Sequence, residues 1–404
     1  MSVYKKIDAG SMNLANKKAV LKIIKENEQI SRSAISKEIG LTPPSVTRIV
    51  DELVHKEQLV DYVGIGNSSG GRPPVVVKFK NQNNYIIGID LGATYIRGCL
   101  VDLKANFISE IQAPTEIEKG LNSVIEKLIQ IINKLISRKS PEGKIWGVGI
   151  GVAGLVNKRT EIIEASPDFQ WTHSNLRKLL QNKINIPFFY DNSTRLMASG
   201  ELYFNNYKNL SDFAVINVGY GIAAGIVIGG KLIKGHLGFA GEFGHIPVDN
   251  CSNVQCKCGM YGCLEALASG NRIVTLANSR LNDKNAAILR DLYIENQNTL
   301  TAEIVAKAAK KGDPVSIQIY EEIADYLCRG IGTITNLLNP EVIYIGGGIA
   351  LNGDFFFDLI NSKKDKYLLS PNSGLQILPA TFGEQATSIG AVSLIMEKIM
   401  NLEL

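Results

Sequence analysis

Long apolar runs are absent from this chain of 404 residues. No stretch approaches the ~20 consecutive apolar residues that span a membrane, and the first residues lack the apolar core of a secretion signal. With 45% hydrophobic and 20% charged residues, the composition is typical of a soluble globular protein, and the length predicts two or three domains. We therefore expect a cytoplasmic protein with no membrane partner.

Cysteine is also scarce, with six in the chain. Three are scattered, at Cys99, Cys251 and Cys328, which fits a reducing cytoplasm better than a disulfide framework. The other three lie between positions 256 and 263 and follow His245, one of four histidines. Such a concentration in a cysteine-poor chain indicates a shared role.

His245, Cys256, Cys258 and Cys263 have the ligand types of a zinc site. Thiolates and imidazole suit tetrahedral Zn²⁺, and four protein ligands leave no open position for water, which is typical of a structural ion. Glycines between the ligands allow the tight turns that such a site needs. The sequence predicts a structural zinc ion, and the alternative is that the three cysteines are buried thiols.

Two carboxylates flank this cluster, Glu242 before it and Glu265 after it. Carboxylates beside a rigid loop can accept hydrogen bonds from adjacent hydroxyls of a sugar, and His245 can offer its second ring nitrogen to the same ligand. The alternative is that both are solvated surface charges. The pattern favours a sugar site next to the metal.

Excess positive charge is confined to the N-terminal fifth of the chain. Residues 1–80 contain 13 Lys or Arg against 8 Asp or Glu, whereas the rest contains 30 against 31. This asymmetry indicates an anionic partner for the N-terminal segment.

The same segment has the pattern of a helix-turn-helix. Apolar residues at helical spacing predict a first helix around 20–24, a second between the N-cap Ser31 and Gly40, and a third that opens with Thr42 and Pro43. The third helix would bury Val46, Ile49, Val50 and Leu53. Its opposite face, which in such motifs meets the major groove, presents Ser45, Thr47 and Arg48.

Two predicted strands, 59–62 and 75–79, and the glycine-rich segment 64–71 between them complete a wing. Arg72, beside two prolines, is placed to reach a minor groove. We assign residues 1–80 to a winged helix-turn-helix DNA-binding domain whose partner is operator DNA. The alternative is a three-helix module that docks a protein.

Beyond residue 85, glycine-rich turns recur in a fixed order. Two strand hairpins, 86–102 and 213–228, each contain a tight glycine turn. Asp90 stands at the start of the turn in the first hairpin. Two further apolar segments, 146–156 and 342–348, run into glycine-rich loops. Each turn alone is weak evidence for a particular fold, because turns use glycine for conformational reasons. The order of the motifs resembles the duplicated phosphate-loop arrangement of actin-like sugar kinases.

Taken together, and most specifically over 238–265, these motifs resemble the ROK family, named for repressors, open reading frames and kinases. The resemblance implies a duplicated actin-like (ribonuclease H-like) α/β fold, with one subdomain at 81–195, completed by 385–404, and another at 196–384 that carries the zinc loop and the oligomer contacts. It also implies a homodimer or homotetramer. The implied contacts to a monosaccharide are Gly154, Asp168, Asn192, Glu242, His245 and Glu265.

Departures from the kinase pattern bear on catalysis. Counting back from Gly200, the position of the kinase general base falls on Ser193, which cannot remove a proton at pH 7 without an activating partner. Asp191 is two positions away and would point elsewhere. Tyr220 replaces a threonine of the second phosphate loop and would crowd a nucleotide. We therefore expect no catalytic residue, and we expect Asp90 to be a turn cap rather than a magnesium ligand.

The winged helix places the resemblance on the repressor branch, which includes xylose repressors. We expect a sugar-responsive transcriptional regulator, a repressor of xylose or glucose utilisation genes, in which a bound sugar changes the spacing of paired winged helices on DNA. The alternative is an ATP-dependent sugar kinase with an attached DNA-binding module.

Overall fold

The computed structural model describes residues 9–65, 74–205 and 210–404. Its first part is a three-helix unit with a small antiparallel sheet of order β1-β3-β2. The elements in chain order are α1 (Ala9–Glu26), β1 (Ile30–Ser31), α2 (Arg32–Ile39), α3 (Pro43–His55), β2 (Val60–Ile65) and β3 (Val75–Phe79).

Local signals set the ends of these helices. The Ser31 hydroxyl accepts a hydrogen bond from the backbone N–H of Ala34 at 3.1 Å, and Gly40 ends α2 in the left-handed region at φ 67°. α3 starts at Pro43, after Thr42, and the four apolar side chains predicted to face the core are buried. The predicted winged helix is confirmed, while Arg72 lies outside the described residues.

An α/β unit built on a five-stranded sheet follows. Its elements are β4 (Asn84–Leu91), β5 (Tyr95–Asp102), β6 (Phe107–Pro114), α4 (Leu121–Ile136), β7 (Lys144–Val152), β8 (Leu155–Val156), β9 (Ile163–Ser166), β10 (Trp171–Ser174), α5 (Leu176–Leu180) and β11 (Phe188–Asn192). The order of this first sheet is β11-β7-β4-β5-β6; β4 to β6 are antiparallel, and β7 and β11 run parallel to β4. Strands β8 to β10 form a small separate sheet.

The remaining elements build a second sheet with its helices. They are α6 (Ser193–Phe204), β12 (Phe213–Val218), β13 (Ile222–Ile228), β14 (Lys231–Leu232), α7 (Leu264–Ala268), α8 (Gly270–Arg280), α9 (Ala287–Glu295), α10 (Ala302–Lys310), α11 (Pro314–Leu338), β15 (Val342–Gly346), α12 (Asp354–Lys363), β16 (Gln376–Pro379) and α13 (Ala386–Met400). Within the described ranges, none of the helices has the length and apolarity needed to cross a bilayer.

The second sheet repeats the first. Its order is β14-β13-β12-β15-β16, again with three antiparallel strands followed by two parallel ones. The duplicated α/β fold expected from the glycine motifs is confirmed.

Helices α6 and α13 join the two sheets through close backbone contacts. A Cβ atom on Gly149 of β7 would lie 1.8 Å from the carbonyl oxygen of Ala391 in α13, and one on Gly390 would lie 1.9 Å from that of Leu196 in α6. A Cβ on Gly225 of β13 would lie 2.7 Å from the carbonyl oxygen of Thr194. Only glycine permits these approaches.

The winged helix packs onto the same region rather than standing apart. One continuous hydrophobic cluster contains residues from the winged helix and from α13 and the first sheet. Its buried members include Val20, Leu21, Ile24, Leu59, Ile86, Trp146, Ile395, Met396 and Ile399. The DNA-binding unit and α13 therefore share a core.

Replacing Gly149 with alanine is expected to destabilise the protein by about 1–3 kcal/mol, since the new methyl group overlaps a backbone oxygen that cannot move alone. Denaturation monitored by circular dichroism measures the loss. Gly374→Ala is the control, because a Cβ there meets nothing within 4 Å. Equal stability of the two variants would contradict this account of the packing.

Candidate functional site

The loop between β14 and α7 brings the four candidate metal ligands together. All four ligand atoms lie within 4.8 Å of one another. His245 Nδ1 is 3.6 Å from Cys256 Sγ, and Cys258 Sγ is 3.7 Å from Cys263 Sγ. Tetrahedral sulfur ligands ~2.3 Å from a common ion would be about 3.8 Å apart. The described geometry therefore suits a tetrahedral metal ion, as the ligand types predicted.

The backbone of residues 256–263, called here the metal loop, forms a tight hydrogen-bonded turn. The N–H of Cys256 donates to the carbonyl of Met260 at 2.7 Å, and the N–H of Gly259 donates to the carbonyl of Cys256 at 2.9 Å. Gly259 and Gly262 have φ values of 91° and 69°, which other residues rarely adopt. The tight turn brings the three thiols of this segment into one cluster with His245.

Glu242 and Glu265 lie beside the metal cluster and are partly buried. Burial raises the pKa of Glu242; nearby His245 and Arg195 oppose the rise, and Glu265 adds to it. One Glu265 oxygen, Oε2, accepts the N–H of Ile222 at 3.0 Å. With Nδ1 of His245 turned to Cys256, its Nε2 has no hydrogen-bond partner in the described part of the chain. The carboxylates of Glu242 and Glu265 and a ring nitrogen of His245 thus lie close together.

Gly154 and Asn192 meet on the side of the first sheet. The Asn192 side-chain amide donates to the carbonyl of Gly154 at 2.9 Å, while its oxygen accepts the N–H of Arg195 and caps α6. A Cβ on Gly154 would lie 2.6 Å from the carbonyl oxygen of Ala165. Asn192 therefore fixes both the start of α6 and the Gly154 turn.

Arg195 was not predicted from the sequence as a site residue. Its guanidinium is almost fully buried and donates to Asp191, through Nε at 3.0 Å and through Nη2, and to the carbonyl of Gly238. Lys234 lies 3.6 Å from the other Asp191 oxygen. Asp191 lies in β11 rather than in α6, so the i, i+4 rule for side chains on one helix did not predict this pair. The hydrogen bond from Arg195 to the carbonyl of Gly238 could not be predicted, because Gly238 lies 43 residues further along the chain.

Ser193 begins α6, next to Asn192, and is buried. Among the residues that the structure describes, no group hydrogen-bonds its hydroxyl. Asp191, the adjacent carboxylate, is bound by Arg195 and Lys234 instead. Position 193 therefore carries an uncharged hydroxyl.

Asp168 lies in a 3₁₀ turn before β10. Its Oδ1 is 4.0 Å from the ammonium of Lys257, which belongs to the metal loop. The same ammonium lies 5.1 Å from the centre of the exposed Tyr220 ring. Lys257 thus lies between the small sheet, the metal loop and the turn that joins β12 to β13.

The expectation that Asp90 caps a turn is contradicted. The turn is closed by the N–H of Gly92 donating to the carbonyl of Tyr95, and within the described residues the Asp90 carboxyl makes no hydrogen bond to it. Its nearest charged group is Arg97 at 3.9 Å. Burial raises the pKa of Asp90 to about 7, while Arg97 opposes the rise.

The outward face of α3 presents the predicted DNA-contacting residues. Arg48 is exposed, whereas Ser45 and Thr47 are partly buried at its sides. The Arg48 guanidinium donates to Glu52 and to Asn13, both at 2.7 Å. Phosphate or a base edge must therefore compete with these contacts for Arg48.

Comparisons with known proteins agree with these features. The model described as the ROK family matches residues 86–398, and a winged helix-turn-helix DNA-binding model matches residues 14–57. The chain is 32% identical over 391 residues to the xylose repressor of Caldicellulosiruptor bescii, covering 96% of each protein. It is 30% identical to the glucokinase of Streptomyces coelicolor, over 77% of this chain and 97% of that enzyme.

Among solved structures, a ROK family transcriptional regulator, a homologue of the E. coli MLC protein, is similar with a TM-score of 0.82 and 26% identity, covering 97% of this chain and 98% of that one. A ROK family glucokinase from Streptomyces griseus in complex with glucose and AMPPNP has a TM-score of 0.68 and 29% identity, covering 77% and 98%. The chain therefore belongs to the ROK family and carries a winged helix-turn-helix DNA-binding domain ahead of the family fold.

Proposed function

We propose that this chain is a sugar-responsive DNA-binding repressor of carbohydrate utilisation genes. The observation that carries the proposal is Ser193 at the position of the kinase base, in a chain that also has a winged helix. The xylose repressor relative matches both parts, whereas the glucokinase relative matches 77% of this chain. A fold that holds a sugar without a base serves as a sensor.

The proposed sugar site lies between the two sheets. Gly154 and Asn192 bound it on the side of the first sheet, and Asp168 lies at its edge. Glu242, Glu265 and Nε2 of His245 bound it on the side of the second sheet. Paired carboxylates accept hydrogen bonds from neighbouring hydroxyls, which suits a neutral monosaccharide. The similarity to xylose repressors favours D-xylose, with D-glucose second.

We propose zinc as the ion of the metal loop, held by His245, Cys256, Cys258 and Cys263. Three thiolates and one imidazole are soft and borderline ligands that select Zn²⁺ over Mg²⁺ or Ca²⁺. A closed four-ligand set gives the ion a structural role. It would fix the backbone on which Glu242 and Glu265 are mounted.

The proposed organisation has a DNA-binding domain at 1–80 and two α/β subdomains, at 81–195 with 385–404 and at 196–384. We propose a homodimer or homotetramer, because operator half-sites repeat about every 34–36 Å and pair with a two-fold symmetric protein. Ser45, Thr47, Arg48 and Arg72 are the proposed DNA contacts. A repressor acts where the chromosome is, which places the protein in the cytoplasm.

D-xylose is expected to weaken binding to operator DNA by about 5- to 150-fold, the usual range for coupled sites. Fluorescence anisotropy with the full chain and a duplex selected from a random-sequence library measures the ratio, with D-glucose and other monosaccharides in parallel. Glu265→Gln is expected to abolish the response, and Glu295→Gln, an exposed change on α9, is expected to retain it. An operator affinity that no monosaccharide alters would overturn the proposal.

The kinase alternative has a separate signature. It requires sugar-dependent ADP release from ATP and Mg²⁺ that exceeds the release by a Ser193→Ala variant. Such turnover, with no sugar effect on DNA binding, would make the chain an enzyme.

Arg48→Ala is expected to weaken operator binding by about 1–3 kcal/mol and to relax base preference, since arginine reads guanine through two hydrogen bonds. Binding to the selected duplex and to single-base variants of it checks this. Arg138→Ala removes an exposed arginine beyond α4 and should leave both quantities unchanged. Unaltered specificity in Arg48→Ala would exclude Arg48 from the groove.

Removing the metal is expected to abolish D-xylose binding before it unfolds the winged helix, because the ion stabilises only the loop that bears the carboxylates. Elemental analysis should find one zinc per chain, and Cys258→Ser should lose it. Cys251→Ser is the matched control, since Cys251 is an exposed thiol upstream of the metal loop and outside the ligand cluster. Full sugar affinity in metal-free protein would refute this order of events.

A further inference from the structure

One helix, α6, connects the proposed sugar site to the DNA-binding unit. Its 12 residues span about 18 Å. At its start, Asn192 holds the carbonyl of Gly154, and Arg195 holds Asp191 and the carbonyl of Gly238. The Gly154 turn belongs to the first sheet, and Gly238 belongs to the loop of the second. Any change in the distance between these two loops therefore acts on the first turn of α6.

Helix α6 is held along its length by rigid neighbours. Besides the Gly390 and Gly225 approaches, the hydroxyl of Ser393 in α13 donates to that of Ser199 at 2.6 Å, and both are buried. Glu201 accepts hydrogen bonds from the N–H and the hydroxyl of Thr381, each at 2.7 Å. Contacts this close leave no room for α6 to bend, so it moves as a body.

The far end of α6 reaches the first helix of the winged helix. The ammonium of Lys25 in α1 lies 5.8 Å from the centre of the Tyr203 ring. Lys25 is half-buried, and burial lowers its pKa, with Glu26 opposing. In the described ranges no salt bridge includes Lys25. A partly desolvated cation gains more from an aromatic face than an exposed one does.

We propose that the Tyr203–Lys25 contact transmits the state of the sugar site to the winged helix, so that Tyr203 and Lys25 are coupling residues rather than ligand contacts. The proposal rests on the repressor function proposed above. Tyr203 also packs against the hydrophobic cluster shared by α1 and α13. A shift of α6, which moves together with α13, carries the Tyr203 ring with it, and the contact of the ring with the Lys25 ammonium then changes the orientation of α1.

The test measures the coupling ratio, the operator affinity without D-xylose divided by that with saturating D-xylose. Lys25→Met keeps the length of the side chain and removes its charge, and Tyr203→Leu removes the ring. Each is expected to lower the ratio by about three- to tenfold, the range for residues that couple two sites. The D-xylose dissociation constant, the zinc content and the melting temperature should stay near those of the wild type.

Matched variants separate coupling from packing. Tyr203→Phe keeps the ring and should keep the ratio. Lys22→Met removes an equivalent charge from α1, where Lys22 is exposed and faces Glu26 at 3.8 Å, and should also keep it. The double variant Lys25→Met with Tyr203→Leu should lower the ratio no further than either single change, because both remove one contact.

The outcomes are distinct. Wild-type coupling in both Lys25→Met and Tyr203→Leu would overturn this inference and leave the repressor function standing. A wild-type protein whose operator affinity ignores D-xylose, D-glucose and the other monosaccharides would overturn both. A lowered ratio in Lys22→Met equal to that in Lys25→Met would also overturn the inference, since the effect would then come from charge alone.

Discussion

Backbone-to-backbone packing of α6 and α13 is the constraint on which the rest of the structure depends. Glycines at 88, 149, 200, 225 and 390 remove the side chains that would otherwise separate the two sheets from these helices. The sheets therefore meet through two helices with almost no intervening side-chain layer. Closely packed interiors move between discrete arrangements rather than deforming continuously. A change in the angle between the sheets has to displace α6 and α13 together.

That constraint also places the charges at the start of α6. Arg195 is buried because α6 is enclosed, and a buried guanidinium needs a counter-ion and further hydrogen bonds. Asp191 and the carbonyl of Gly238 supply them. The Asp191 carboxylate, two positions before Ser193, is thus held in an ion pair with Arg195.

The sequence predicted what local chemistry determines. Caps and helical spacing gave α2 and α3 within a few residues, and the core face of α3 was confirmed, because such signals act over one or two helical turns. Ligand chemistry identified the four residues that the segment between β14 and α7 brings together. The repeated glycine turns indicated the duplicated fold, since each marks a strand end that needs an unusual backbone angle or a close approach.

What the sequence could not supply are contacts between distant segments. Arg195 with Gly238, Lys257 with Asp168 and Lys25 with Tyr203 each join parts of the chain that approach only once the sheets are packed. The predicted role of Asp90 was wrong for a similar reason. The residue was expected to cap a turn because it precedes one, but the turn closes through its own backbone. Arg48 was placed correctly on the exposed face, yet its partner Asn13 lies on another helix.

The segment between β14 and α7 shows why the candidate metal and sugar sites belong to one unit. Between β14 and α7, a fully described stretch, the only regular helix or strand is the short 3₁₀ turn Phe243–His245. A loop of this length gains little from regular backbone hydrogen bonding and needs a cross-link to hold one shape. The same loop presents Glu242 beside the ligands and binds Arg195 through Gly238. An ion bound by the four ligands would therefore restrain, through Gly238 and Arg195, the first turn of α6, where the two sheets are joined.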